Sequence, residues 1–95
     1  MRDGLASLLN LHGRVALVTG GSGAIGSAIC VRLLECGATV YCLDRPGRES
    51  PSGTSTIACD VTDAAAVAAA VSRIGRSSGR LDVVVSSAAK GSPNH

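Results

Sequence analysis

The sequence predicts an α/β fold whose strands run parallel in one sheet. Three observations lead there. Strand-like and helix-like stretches alternate along the chain. The first strand candidate, residues 15–19, is a continuous apolar run, as expected for a strand covered on both faces. Between that run and the first helical pattern stands a turn holding Gly20, Gly21, Gly23 and Gly26, in the position where βαβ units carry a glycine-rich turn.

Each element has its own local reason. The first helix is expected over about residues 25–36. Ile25, Ile29 and Leu33 recur at i, i+4 and i+8 as one apolar stripe, Arg32 and Glu35 face solvent, and Gly37 follows as a stop. A second strand, residues 39–43, ends at Asp44. Residues 45–55 hold two prolines, two glycines and three serines, which predicts an irregular crossover rather than a helix. A short third strand, residues 56–59, is closed by Asp60. Thr62 or Asp63 caps the next helix, residues 64–74, whose stripe is Val67, Val71 and Ile74 and which Gly75 and the Arg76-Ser-Ser-Gly79 turn are expected to end. The fourth strand, residues 81–85, runs into Ser86-Ser-Ala-Ala89, and residues 91–95 form a polar tail.

Composition narrows the function classes. With 95 residues the chain makes one small domain, and 45% hydrophobic with 17% charged residues is a globular mixture. It has no Trp or Phe, and Tyr41 is its only aromatic side chain, which argues against recognition of nucleic acid by base stacking. A net charge of +2 is too small to suggest a nucleic acid or membrane partner. No apolar run reaches the length of a membrane span. Residues 1–12 read as a leader that tucks Leu8, Leu9 or Leu11 against the sheet; Asp3 and the breaks at Ser7 and Asn10 argue against a secretory signal. Cys30, Cys36, Cys42 and Cys59 form no C-x-x-C, and His12 and His95 lie near the chain ends, so no zinc site is expected. Core thiols in a reducing compartment, and hence a cytoplasmic protein, are the reading.

The glycine turn carries the chemistry. A helix that starts there presents unpaired N–H groups and the positive end of its dipole, which together suit a pyrophosphate. Glycines let the backbone come close to the phosphates. Asp44 ends the next strand 18 positions after Gly26. A carboxylate there accepts hydrogen bonds from an adenosine ribose and repels a 2′-phosphate; the plainer alternative is a solvated strand end.

The stretch Thr19-Gly-Gly-Ser-Gly-Ala-Ile-Gly26 resembles the T-G-x-x-x-G-x-G turn of the short-chain dehydrogenase/reductase family, with Ala24 in place of the middle glycine. Leu43-Asp-Arg45 resembles the family's acidic strand end, Cys59-Asp-Val-Thr-Asp63 its D-V motif, and Leu81-Asp-Val-Val-Val-Ser-Ser-Ala-Ala89 the strand ending in N-N-A-G. The likeness spans about residues 10–90. It implies a partial Rossmann fold over residues 13–90: a four-stranded parallel sheet in the order 3-2-1-4 with flanking helices. It also implies a dinucleotide site. Gly20, Ser22, Gly23, Ile25 and Gly26 would line the pyrophosphate, Asp44 the ribose, and Asp60 and Val61 the adenine. Ser87 and Ala88 would stand where the N-N-A-G motif meets the nicotinamide ribose. Asp44 favours NAD over NADP, with Arg45 and Arg48 as the groups that could take a 2′-phosphate instead.

The family reaction is hydride transfer between a nicotinamide cofactor and an alcohol or ketone. Its catalytic asparagine, serine and Y-x-x-x-K pair lie beyond the fourth strand. Tyr41 is followed four residues later by Arg45, not lysine, so no catalytic residue is assigned. The expectation is a truncated piece of such an enzyme, inactive alone, with its substrate set elsewhere. A second expectation is a non-catalytic dinucleotide-binding module, or a regulator that pairs with full-length relatives, associating with itself or with them through the open edge of strand 4.

Overall fold

A computed structural model describes residues 10–87. Four strands, β1 (Val15–Thr19), β2 (Thr39–Asp44), β3 (Ser55–Ala58) and β4 (Val83–Ser86), and two helices, α1 (Ala24–Glu35) and α2 (Ala64–Ser78), follow one another in the order β1-α1-β2-β3-α2-β4. The sheet is parallel throughout and ordered β3-β2-β1-β4, as expected.

The strand pleat divides the core in two. Val15, Leu17, Leu43, Ile57 and Cys59 pack with Ala70 and Ile74 of α2 on one face. Ala16, Val18, Val40 and Cys42 pack with Cys30 of α1 on the other. All five residues of β1 are buried, as befits the central strand. Cys30, Cys42 and Cys59 are core thiols, and none of the four cysteines is in a disulfide. Burial first, and neighbouring Cys42 second, push the Cys30 thiol up to about 12, so it stays protonated and packs as a small apolar group. Leu11 seats against the α1 face and donates its N–H to the Cys36 carbonyl at 2.7 Å. Leu8 and Leu9 lie outside the described residues.

Three expectations need correction. The stripe of α1 is rotated from the one the spacing suggested: Gly26 and Cys30 are its buried residues, while Ile25 is 69% exposed and Ile29 and Leu33 are half-buried. The smallest side chains face the sheet because α1 lies close against the glycine turn, and the larger ones are pushed to the flanks. On α2, likewise, Ala70 joins Ile74 in the core and Val71 is exposed. Finally, α2 does not stop at Gly75 but runs one turn further. Its left-handed terminator is Gly79 (φ 79°), whose N–H returns to the Gly75 carbonyl at 2.8 Å. A glycine inside a helix costs only about 1 kcal/mol. The cap at Gly79 and the Tyr41 hydroxyl meeting Ser78 Oγ at 2.7 Å hold the extra turn.

Asp82, just ahead of β4, pins the lower edge of the sheet. Its carboxylate accepts the Val15 N–H at 2.8 Å and is gripped through both oxygens by Arg80, with Arg14 at 3.6 Å. The Arg80 hydrogen bonds, helped by the Val15 N–H, hold its carboxyl down to about 2. A depressed carboxyl contributes stability above its unfolded value of about 3.9, and that stability is lost as the pH falls through the folded value. The wild-type chain is therefore expected to lose stability more steeply than Asp82→Asn between about pH 4 and pH 2, as denaturant unfolding at stepped pH will read.

Candidate functional site

The carboxyl ends of β1, β2 and β3 open onto a cleft of about 460 Å³. Its floor is the glycine turn. Gly20 sits at φ 73°, a left-handed conformation that favours glycine, and its N–H continues the sheet ladder to the Leu43 carbonyl at 2.8 Å. Gly26 meets the turn so closely that a Cβ there would stand 2.1 Å from the Gly20 carbonyl oxygen and 2.8 Å from Ser87 Oγ. Gly21 packs against Cys42 in the same way, and a Cβ there would stand 2.5 Å from the Cys42 sulfur. Ser27 Oγ donates to the Gly21 carbonyl at 3.0 Å and ties α1 back to the turn. Ala24, where the family motif has its middle glycine, begins α1 and lines the cleft.

The start of α1 is left open. Its N-cap is Gly23, which offers no side chain, and the first turn contains no acidic residue. The N–H groups of Ala24, Ile25 and Gly26 have no acceptor among the described residues; the first helical bond is Ser27 N–H to the Gly23 carbonyl at 2.8 Å. By contrast, the Asp63 carboxylate caps α2 through the N–H groups of Ala65 and Ala66 at 3.1 and 3.2 Å. One helix start is capped by its own chain, and the one at the cleft keeps its first N–H groups open.

Asp44 forms the wall at the end of β2. Its Oδ2 accepts the Ser22 N–H at 2.9 Å and the Ser22 hydroxyl, and its Oδ1 accepts the Arg45 N–H at 2.8 Å. Burial pushes the Asp44 carboxyl up, but the hydrogen bonds from Ser22 and Arg45 and the nearby Arg48 charge outweigh that and hold it below the usual carboxylate range. It stands in the cleft as an anion at neutral pH. Arg45 and Arg48 line the same wall.

At the third strand end, Asp60 Oδ1 accepts the Thr62 N–H at 2.9 Å and the Thr62 hydroxyl at 2.6 Å, closing a turn that presents Val61 and Thr62 to the cleft. On the far side, Ser87 braces β4 to β1. Its hydroxyl donates to the Thr19 carbonyl at 2.6 Å, and its N–H lies 3.2 Å from both the Thr19 carbonyl and the Thr19 hydroxyl.

Nine of the ten residues singled out in the sequence thus line one cleft: Gly20, Ser22, Gly23, Ile25, Gly26, Asp44, Asp60, Val61 and Ser87. The tenth, Ala88, lies outside the described residues. Ala24, Leu43, Cys59 and Thr62 join them without having been singled out. Each is a sequence neighbour of a residue that was, and that adjacency was the available signal. The bonding of Ser22 was not anticipated. Both of its donors are committed to Asp44, a residue 22 positions away.

A parallel sheet of this order, with a glycine turn opening a helix at the central strand and an acidic residue ending the next, defines a dinucleotide-binding half of the Rossmann type. Comparison with known proteins agrees. Residues 14–95 match the family model for short chain dehydrogenases, and the chain belongs to that family. A 3-oxoacyl-[acyl-carrier-protein] reductase of rhamnolipid biosynthesis from Pseudomonas aeruginosa is 39% identical over 88 residues, which cover 83% of this chain and 34% of that protein. Among solved structures, ligand-free aldohexose dehydrogenase from Thermoplasma acidophilum superposes with a TM-score of 0.72 at 35% identity, over 80% of this chain and 29% of that one. A xylitol dehydrogenase solved with NAD+ bound gives 0.67 at 32% identity, over 78% and 32%. The chain spans about a third of the length of the relatives it matches.

Proposed function

We propose that this chain is the cofactor-binding part of an NAD-dependent short chain dehydrogenase, and that its cleft takes the adenosine diphosphate portion of NAD. The observation that carries this reading is the uncapped start of α1 in one cleft with the ionised Asp44. The N–H groups of Ala24, Ile25 and Gly26 fit a pyrophosphate. Asp44, held ionised, fits the two hydroxyls of an adenosine ribose and opposes a phosphate at the 2′ position. Val61, half-buried beside the Asp60 turn, supplies an apolar edge for the adenine. Ser87 stands on the nicotinamide side.

NAD bound in this way carries the hydride that the family exchanges with an alcohol or ketone. The residues of this chain bind and orient the adenosine end. No proton-transfer group is assigned among them, since Tyr41 is on β2 with its hydroxyl on Ser78. Thiols used as small apolar core groups, as at Cys30, Cys42 and Cys59, suit a reducing location such as the cytoplasm. No helix among the described residues is long and apolar enough to cross a membrane.

Calorimetric titration of the purified chain with NAD+ and NADP+ tests the proposal. Saturable binding of NAD+ at one site per chain, tighter than that of NADP+, is expected. Absence of binding to either nucleotide rejects it.

A further inference from the structure

Resting on the reading of the cleft as a NAD site, we propose that Ser22 is a positioning residue for cofactor choice: it fixes the Asp44 carboxylate across the ribose position, so that rejection of a 2′-phosphate depends on Ser22 as well as on Asp44.

Asp44 shares the cleft with two cations. Arg45 and Arg48 line the wall on which Asp44 stands, and both are exposed. They are the natural partners of a 2′-phosphate, and Arg groups bind phosphates through several donors at once. The wall therefore contains one group that rejects the phosphate and two that welcome it. Which prevails depends on where the carboxylate is held. Asp44 sits on the last residue of β2, where a side chain next to an open cleft is free to turn. Three donors prevent that: the Ser22 N–H, the Ser22 hydroxyl and the Arg45 N–H. Two of the three come from Ser22, and both fall on Oδ2. They keep the carboxylate charged and tied by Oδ2 to the glycine turn.

Ser22 is itself rigidly placed. It lies between Gly21, packed on the Cys42 sulfur, and Gly23, whose N–H is bonded to the Gly20 carbonyl at 3.1 Å. Only the hydroxyl can be removed by substitution, because the backbone N–H remains. Loss of the hydroxyl leaves Oδ2 with a single donor. The carboxylate can then swing toward Arg48, which already lowers its proton affinity through space, and the ribose edge is vacated.

The test compares wild type, Ser22→Ala, Ser22→Thr and Ser22→Cys. NAD+ and NADP+ are titrated separately into each full chain by calorimetry, and circular dichroism checks the fold. Ser22→Ala is expected to move the ratio of NADP+ to NAD+ affinity about tenfold toward NADP+, the scale of one hydrogen bond to a charged group. Ser22→Thr keeps the hydroxyl and should preserve the wild-type ratio. Ser22→Cys, close in size but a weak donor, should follow Ser22→Ala, and it serves if the alanine variant does not fold. Equal weakening toward both nucleotides, with the ratio unchanged, overturns the proposal and reduces Ser22 to a support of the turn. Wild type that binds NAD+ tightly leaves the site reading standing whatever the variants do; wild type that binds neither nucleotide removes both.

Discussion

Gly26→Ala is expected to destabilise the chain by about 3 kcal/mol, the upper end of overpacking costs, and to abolish nucleotide binding. The added Cβ would lie 2.1 Å from the Gly20 carbonyl oxygen and 2.9 Å from the Gly20 carbonyl carbon. These are backbone atoms of the turn, and no side-chain rotation relieves them. Ser87 Oγ, 2.8 Å away, is no freer, because it is bonded to the Thr19 carbonyl. The helix has to lift from the turn, and doing so displaces the N–H groups of Ala24 and Ile25 on which the proposed pyrophosphate site depends. Gly75→Ala is the control. A Cβ there meets nothing within 4 Å, and Gly75 lies within α2, so that change should stabilise the chain by about 1 kcal/mol. Denaturant unfolding of both variants, with NAD+ titration of the first, reads the contrast.

Asp44→Ala is expected to weaken NAD+ binding by about ten- to a hundredfold and NADP+ binding by distinctly less. The carboxylate has two roles in this geometry. In the proposed site it offers acceptors to a ribose, and it ties the glycine turn to the tip of β2 through Ser22. Alanine removes both, so part of the loss comes from a loosened turn. Asp44→Asn separates the two roles. It keeps an acceptor for the Ser22 donors and removes the charge, so the turn should stay in place while discrimination against the 2′-phosphate falls. Titration of both nucleotides into the two variants distinguishes a loss shared by NAD+ and NADP+, which belongs to the turn, from a loss confined to NAD+, which belongs to the charge.

Much of this site was legible in the sequence because its parts are local. A strand, a glycine turn and a helix start are contiguous, and the strand-end acids announce themselves by following apolar runs. Sheet order came with the likeness to a family and stood up in full. What escaped the sequence was tertiary. The buried face of α1 is set by how closely Gly26 approaches Gly20, not by where the large apolar residues recur. The end of α2 is set by Gly79 and by a Tyr41 contact from another element, which let the helix pass Gly75. Asp82 looked like one more residue of a strand motif until the Val15 N–H and Arg80 were placed beside it. Ser22 belonged to a motif by position, but its bonding to Asp44 depends on the turn folding over the tip of the neighbouring strand, which no periodicity records.

The most direct test of the central claim is residue-resolved: amide NMR of the chain during the NAD+ titration, repeated with ADP. If the cleft holds the adenosine diphosphate portion, ADP and NAD+ must produce the same saturable shifts in Gly23, Ala24, Ile25, Gly26 and Asp44, and ADP must compete with NAD+. Shifts confined to other residues, or none with either nucleotide at saturating concentration, would contradict it.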